Sequence, residues 1–356
     1  MRVNAEQDET VVSRDEGGQV MRKVMVALVV VLALLGVVAD AVHAATLKMK
    51  AALYFDENHA WYKGLEKFRD VIRAKSNGTL DLEIYGRGVL GGEKDYVQNM
   101  MGGFLDLAAL NIRSAGNLGK EVTFFSLMDL FRDIDHWKRA LDGEAGRKFA
   151  QVVEKVTARG GNPGVKILGW WGGTPRYILS RKRGYTTVAD LQGFRMRTQD
   201  NPISIQMWKL VGVIPTPIAY METYNAIQTG VVEGLENNMD AAYNMKFYEV
   251  APHISETAHE LLAAQLVMSG HTWNKFTPEQ QKIVLEAAKE ATELSRSIEL
   301  RQADEAVVQM KKAGSTFYPF TEKQKLAELT LGYRLQVAKE IGMTDILDAI
   351  ERAAKP

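Results

Sequence analysis

The chain has 356 residues, with 44 Lys and Arg against 44 Asp and Glu, 46% hydrophobic residues and no cysteine. That length predicts two domains around a large core, and the composition excludes wholesale disorder. Zero net charge argues against a nucleic-acid partner, and the missing cysteines exclude disulfides, thiolate nucleophiles, cysteine zinc sites and iron–sulfur clusters.

Residues 1–20 are polar and acidic without periodicity. Met21-Arg22-Lys23 then gives a basic run, Val24 to Ala39 an apolar one, and Val42-His43-Ala44 a small-residue end. This is the order of a secretory signal peptide cleaved after Ala44, and the apolar run falls short of the ~20 residues a membrane span needs. Its late start makes Met21 a natural initiator. Without residues 1–44 the chain keeps 40 basic and 38 acidic residues, so any anion site must be local.

Leu47, Met49, Ala51 and Leu53 alternate with Lys48, Lys50 and Ala52, which predicts a half-buried strand. Trp61, Leu65, Phe68 and Ile72 share a helical face that ends near Gly78. A strand over Leu80–Tyr85, a short helix over Glu93–Met101 and a strand over Leu105–Leu110 follow. The alternation predicts α/β architecture. Val165–Trp171 and Tyr177–Ser180 read as two strands, Phe194–Arg197 as a short one, Pro202–Val211 as a helix, Val213–Tyr220 as extended and Leu261–Met268 as an apolar strand. Thr277-Pro278-Glu279-Gln280 is a capping box with proline at the first helical position. The helix it opens meets no glycine or proline before Gly314, room for about 54 Å at 1.5 Å per residue. Ile283, Ala287, Ala291, Leu294 and Ile298 form its apolar face. A helix lying across two domains fits better than a coiled coil. Helices over Glu322–Ile341 and Thr344–Ala353 finish the chain.

Gly86-Arg87-Gly88-Val89-Leu90-Gly91 matches the dinucleotide fingerprint. Asp106, however, opens the following strand instead of ending it, where a ribose ligand belongs, so a tight turn aiming a helix N-terminus is the better reading. The histidines lack zinc-site spacing, and no nucleophile elbow or phosphate loop occurs. No metal or cofactor is implied. What remains is two arginines, Arg176 and Arg197, each flanked by apolar strand residues. A guanidinium there either snorkels to the surface or pairs with something, and its planar fork matches a carboxylate.

The segment from Asp190 to Tyr248 carries D-L-Q-G-F-R-M-R-T-Q-D-N-P, P-T-P-I-A-Y-M-E-T-Y-N-A-I-Q-T-G-V-V-E-G-L-E-N-N and K-F-Y-E-V. It resembles the solute-binding proteins of tripartite ATP-independent periplasmic (TRAP) transporters, the family of the C4-dicarboxylate and sialate receptors. Leu90-Gly91-Gly92 and the run from Phe276 extend the resemblance over the rest of the chain.

The resemblance implies a two-lobed α/β binding-protein fold with mixed sheets, strands crossing between the lobes and a long helix spanning both. The lobes would be 45–173 with 263–302, and 174–262 with 303–356. It implies a periplasmic receptor, acting as a monomer and without catalysis, that closes on a small carboxylate ligand and hands it to integral-membrane permease subunits. By motif, Arg197 matches the carboxylate-holding arginine, Arg176 a second ligand-facing arginine, Asn237 a polar contact and Tyr220 a lining aromatic. Asn111 sits where sialate receptors place an acid, and Glu93 and His59 are further lining groups. Asn238 stands where the family usually has proline, which bears on Asn237 and Asp240. His59, Asn111, Gln199, Asn237 and Asp240 suit hydroxyls and favour a sugar or hydroxy acid, whereas Trp170 and Trp171 could stack an aromatic acid or pack between lobes. An exported sensor feeding a signalling partner, or an exported enzyme using His59, Glu93 or Asp240, are the competing readings.

Overall fold

The computed structural model describes residues 21–27 and 46–355. Residues 21–27 are helical, while the rest of the apolar run and the expected cleavage point at Ala44 lie outside the described residues. No described helix is long and apolar enough to cross a membrane. From Leu47 onward the chain is one compact unit.

β1 (Leu47–Ala52), α1 (Ala60–Lys75), β2 (Leu80–Tyr85), α2 (Glu93–Met101) and β3 (Leu107–Leu110) follow in the expected order. β1 lies between β2 and β3 and runs parallel to both. Trp61, Leu65, Phe68 and Ile72 of α1 are buried, as their spacing predicts. α3 (Ile134–Leu141) and α4 (Glu144–Thr157) come next. β4 is then one strand of 16 residues, Val165–Ser180, where two were expected. Gly-Gly-Thr-Pro at its centre reads as a break, but the chain continues through a register shift between Gly172 and Pro175. Gly172 and Gly173 have φ of +100° and +97°, and a Cβ on Gly172 would lie 2.5 Å from the Leu262 carbonyl oxygen. Only glycine takes that backbone conformation at so close an approach. The irregularity divides β4 between partners: Val165–Pro175 pairs with β9 (Leu261–Ser269), and Arg176–Ser180 pairs with β7 (Gly234–Asn238).

β5 (Arg195–Thr198), α5 (Pro202–Leu210), β6 (Ile214–Pro217) and α6 (Thr223–Gln228) precede β7. After it come α7 (Met239–Asn244), α8 (Phe247–Val250), β8 (His253–Glu256), β9 and α9 (Gly270–Trp273). The path across the mixed sheet is β2-β1-β3-β9-β4-β7-β5-β6. β4 therefore joins the two halves. A second buried cluster around Leu179, Leu235, Met239, Phe247 and Ile254 is separate from the main core, which runs through both halves.

α10 (Pro278–Lys312) runs 35 residues. Its capping box is made: Gln280 N–H donates to Thr277 Oγ1, and Thr277 N–H to Gln280 Oε1. α10 accepts Trp171 Nε1–H on Thr292 Oγ1 and donates from Arg296 Nε to the Trp170 carbonyl. It also packs against α1 and α7, bracing elements from both halves. Leu294, expected on the buried face, is exposed; Ser295 and Glu299 are fully buried there instead. β10 (Thr316–Pro319) pairs with β8, and α11 (Lys323–Glu340) and α12 (Thr344–Ala353) close the chain.

Because Gly172 combines positive φ with close approach, Gly172→Ala should lower the unfolding free energy by about 2 kcal/mol. Urea titration checks this; an unchanged midpoint would contradict the account of the bend.

Candidate functional site

Two parallel pairs of strands, β1 with β3 and β5 with β7, bring their carboxyl ends to one place. Tyr54 and Phe55 follow β1, Asn111 follows β3, Arg197 and Gln199 lie at the end of β5, and Asn237 and Asn238 end β7. Ligands of open α/β sheets bind off such carboxyl ends. These residues line a cavity of about 340 Å³, part of it open to solvent. A wider cleft of about 1570 Å³ by the same measure shares Tyr54, Glu93, Arg197, Gln199 and Tyr220 with it.

Arg176 and Arg197 are 4% and 3% exposed, so neither snorkels. Arg176, brought in by the bend in β4, is already neutralised. Its Nε donates to Glu236 Oε2 at 2.5 Å, Nη2 to the Glu236 carbonyl at 3.1 Å and Nη1 to Asn238 Oδ1 at 3.3 Å. Burial opposes its charge, but Glu236 and Glu260 outweigh that and hold its pKa above the ordinary value. Arg197 differs. Its Nε donates to the Ile218 carbonyl at 2.9 Å, and its guanidinium lies 5.4 Å from the Tyr220 ring centroid. Among the described residues no carboxylate comes within 4.0 Å of it. Burial accordingly draws its pKa below the ordinary value, only partly offset by Glu236, Tyr220 and Glu93.

Glu93 is the first residue of α2, 9% exposed. It accepts from Asn111 N–H at 2.8 Å and from the Ser114 hydroxyl. Burial pushes its pKa up, against those hydrogen bonds and the Arg113 and Arg197 charges. Asn111 Oδ1 is buried without a hydrogen-bond partner. Tyr220 OH accepts from Asn237 Nδ2 at 2.9 Å, and burial raises the phenol's pKa.

The structure thus brings Arg197, Arg176, Asn237, Tyr220, Asn111 and Glu93 to one cavity, with Gln199. His59, Asp240 and Trp171 lie elsewhere. His59 caps α1, accepting Trp61 N–H on Nδ1, stacks on Phe55, and faces Asp240 Oδ2 at 3.3 Å; both line a different pocket beside α10. Trp171 is fully buried against Gly64 and Thr292, and packing is its use; Trp61 reaches the cavity instead. The fingerprint at Gly86–Gly91 is a turn before α2, with Arg87 paired to Glu57. Asp106 accepts from Lys50 N–H and the Thr272 hydroxyl. Glu236, Glu260 and Arg113 were missed. Their signal was available: two arginines buried in strands demand carboxylates, and Glu236 stands in the same motif as Asn237.

A two-lobed mixed sheet with a buried, uncompensated guanidinium at the strand ends is the construction of a solute-binding protein for anions. Residues 52–329 match the model of the bacterial extracellular solute-binding protein family 7, and the chain belongs to that family, whose members include the TRAP receptors. A solute-binding protein of Sulfitobacter sp. (strain NAS-14.1) is 36% identical over 308 residues, covering 85% of this chain and 90% of that one. A crystal structure of a TRAP periplasmic solute-binding protein from Sulfitobacter sp. NAS-14.1 with bound alpha-D-taluronate is 34% identical, with TM-score 0.80 and coverage of 86% and 97%. One from Pseudomonas putida F1 with bound D-glucuronate is 26% identical, with TM-score 0.78 and coverage of 87% and 97%.

Removing one partner of the Arg176–Glu236 pair leaves a buried charge, so Glu236→Gln should cost about 3 kcal/mol at neutral pH. The Glu236 pKa is depressed: burial opposes ionisation, but Arg176 and His259 outweigh it. Its stabilisation is therefore complete above the ordinary carboxylate pKa and lost as pH falls below it. Urea unfolding across pH should show acid-side loss in the wild type that flattens in Glu236→Gln; equal slopes would contradict the pairing.

Proposed function

We propose that this protein is the extracytoplasmic receptor of a TRAP transporter and binds a sugar acid, its carboxylate on Arg197 and its hydroxyls on Asn111, Gln199, Asn237 and Glu93. The observation that carries this is Arg197 itself. Burying a guanidinium without a counter-charge is unfavourable, and a carboxylate forming ion–hydrogen bonds there relieves it in a low-dielectric site. Uronates in the two related crystal structures support the ligand class.

Arg197 and Glu93 are buried at the base of the cleft, so we infer that the lobes part to admit the ligand. We place the lobes at 45–173 with 263–302 and at 174–262 with 303–356, which sets the hinge at the bend of β4 and the start of β9. The receptor is exported with cleavage near Ala44, works in the periplasm as a monomer, and delivers its ligand to membrane permease subunits. It catalyses nothing. Both Glu93 oxygens accept hydrogen bonds within the protein, and His59 and Asp240 do not line the cavity, so the candidates for a base or nucleophile are engaged or misplaced.

A thermal-shift screen against carboxylates tests the class. A ligand at 100 times its Kd adds about 2.7 kcal/mol of stability. Uronates should stabilise the protein, and a flat response to every acid would refute the proposal. Arg197→Ala should weaken uronate binding by about 3 kcal/mol or more in calorimetry; wild-type affinity in that variant would remove Arg197 from the site.

A further inference from the structure

Arg113, Arg176, Arg197, Glu93 and Glu236 are buried in and behind the cavity, with Glu260 partly buried beside them, and they do not all pair. Arg113 Nη1 lies 2.5 Å from Glu260 Oε1, and Arg176 Nε lies 2.5 Å from Glu236 Oε2. Arg197 and Glu93 are left over. Both line the cavity. Among the described residues, no carboxylate lies within 4.0 Å of Arg197 and no Lys, Arg or His nitrogen lies within 4.0 Å of Glu93.

Resting on the sugar-acid reading above, we infer that Glu93 is the specificity determinant that restricts the site to ligands with a single carboxylate and turns away diacids. A first ligand carboxylate takes Arg197, which among the described residues is the cation lining the cavity without a carboxylate partner. A second carboxylate would find Arg176 already held by Glu236, and would meet Glu93 in a desolvated space, where like charges repel strongly. Glu93 and the unpartnered Asn111 Oδ1 are both acceptors, so the ligand groups facing them must be donors, as sugar hydroxyls are and carboxylates are not. A site rejects a competitor most sharply by opposing it with an unpaired like charge.

Calorimetry with D-glucuronate and with D-glucarate, a diacid of the same carbon number, tests this. In Glu93→Gln the amide can still accept from Asn111 N–H and bond to Ser114, so the local structure is retained while the charge is removed. The wild type should prefer glucuronate by about 100-fold or more, and Glu93→Gln should narrow that preference at least tenfold. The ring-against-chain difference between the two ligands is common to both proteins and cancels in this comparison. Wild-type binding of both acids within threefold, or an unchanged preference in a folded variant, would overturn the role of Glu93 while leaving the sugar-acid reading intact. Should the variant not fold, D-gluconate, an open-chain monoacid of the same carbon number, replaces glucuronate in the wild-type comparison with glucarate, and a preference for it of less than threefold would overturn the role of Glu93. If neither acid binds the wild type, the sugar-acid reading falls and this inference falls with it.

Discussion

Arg197 is the group on which the proposed site depends. Its charge is buried, held by a backbone carbonyl and an aromatic face, and lacks a carboxylate. Every other buried arginine in or behind the cavity has one. The fold keeps this unfavourable state because β5 is fixed between β6 and β7, which holds the guanidinium at the base of the cleft. Pairing elsewhere makes that possible: Arg176 with Glu236 and Arg113 with Glu260 lock the neighbouring elements without using Arg197.

The same logic explains the architecture. A site at strand ends needs strands from both halves to arrive together, and β4 does this by pairing with β9 before its bend and with β7 after it. Gly172 and Gly173 let β4 bend without ending, so Arg176 reaches the cavity while Trp170 and Trp171 stay in the core. α10 then spans the bend, tied to Trp170 and Trp171 through Arg296 and Thr292 and to the start of α1 through Gln302. On the lobe division proposed above, bending at β4 with α10 as a brace lets the two lobes part and close.

Much of this was legible in the sequence where the cause is local. Alternation marked β1 and β2, and the capping box marked the start of α10. The motif around Arg197 and Asn237 marked the cavity. What escaped was set by tertiary contact. Gly-Gly-Thr-Pro looks like a strand end because its continuation depends on pairing with β9. β7, Gly-Leu-Glu-Asn-Asn, looks too polar for a buried strand, yet it is wholly buried because Glu236, Asn237 and Asn238 find partners there. His59 and Asp240 looked like lining groups because type and position fitted, but direction around a helix start is not written in type. Trp171 was ambiguous by composition and is settled by a glycine, Gly64, that makes room for its ring.

The central claim is that Arg197 awaits a carboxylate, and varying that one group on the ligand tests it most directly. Calorimetric binding of D-glucuronate should be compared with that of D-glucose, which carries a hydroxymethyl in place of the carboxylate. Loss of the ion–hydrogen bonds and the return of an uncompensated guanidinium predict at least a thousandfold weaker binding of the neutral sugar, about 4 kcal/mol. Equal affinity for the two would contradict the account.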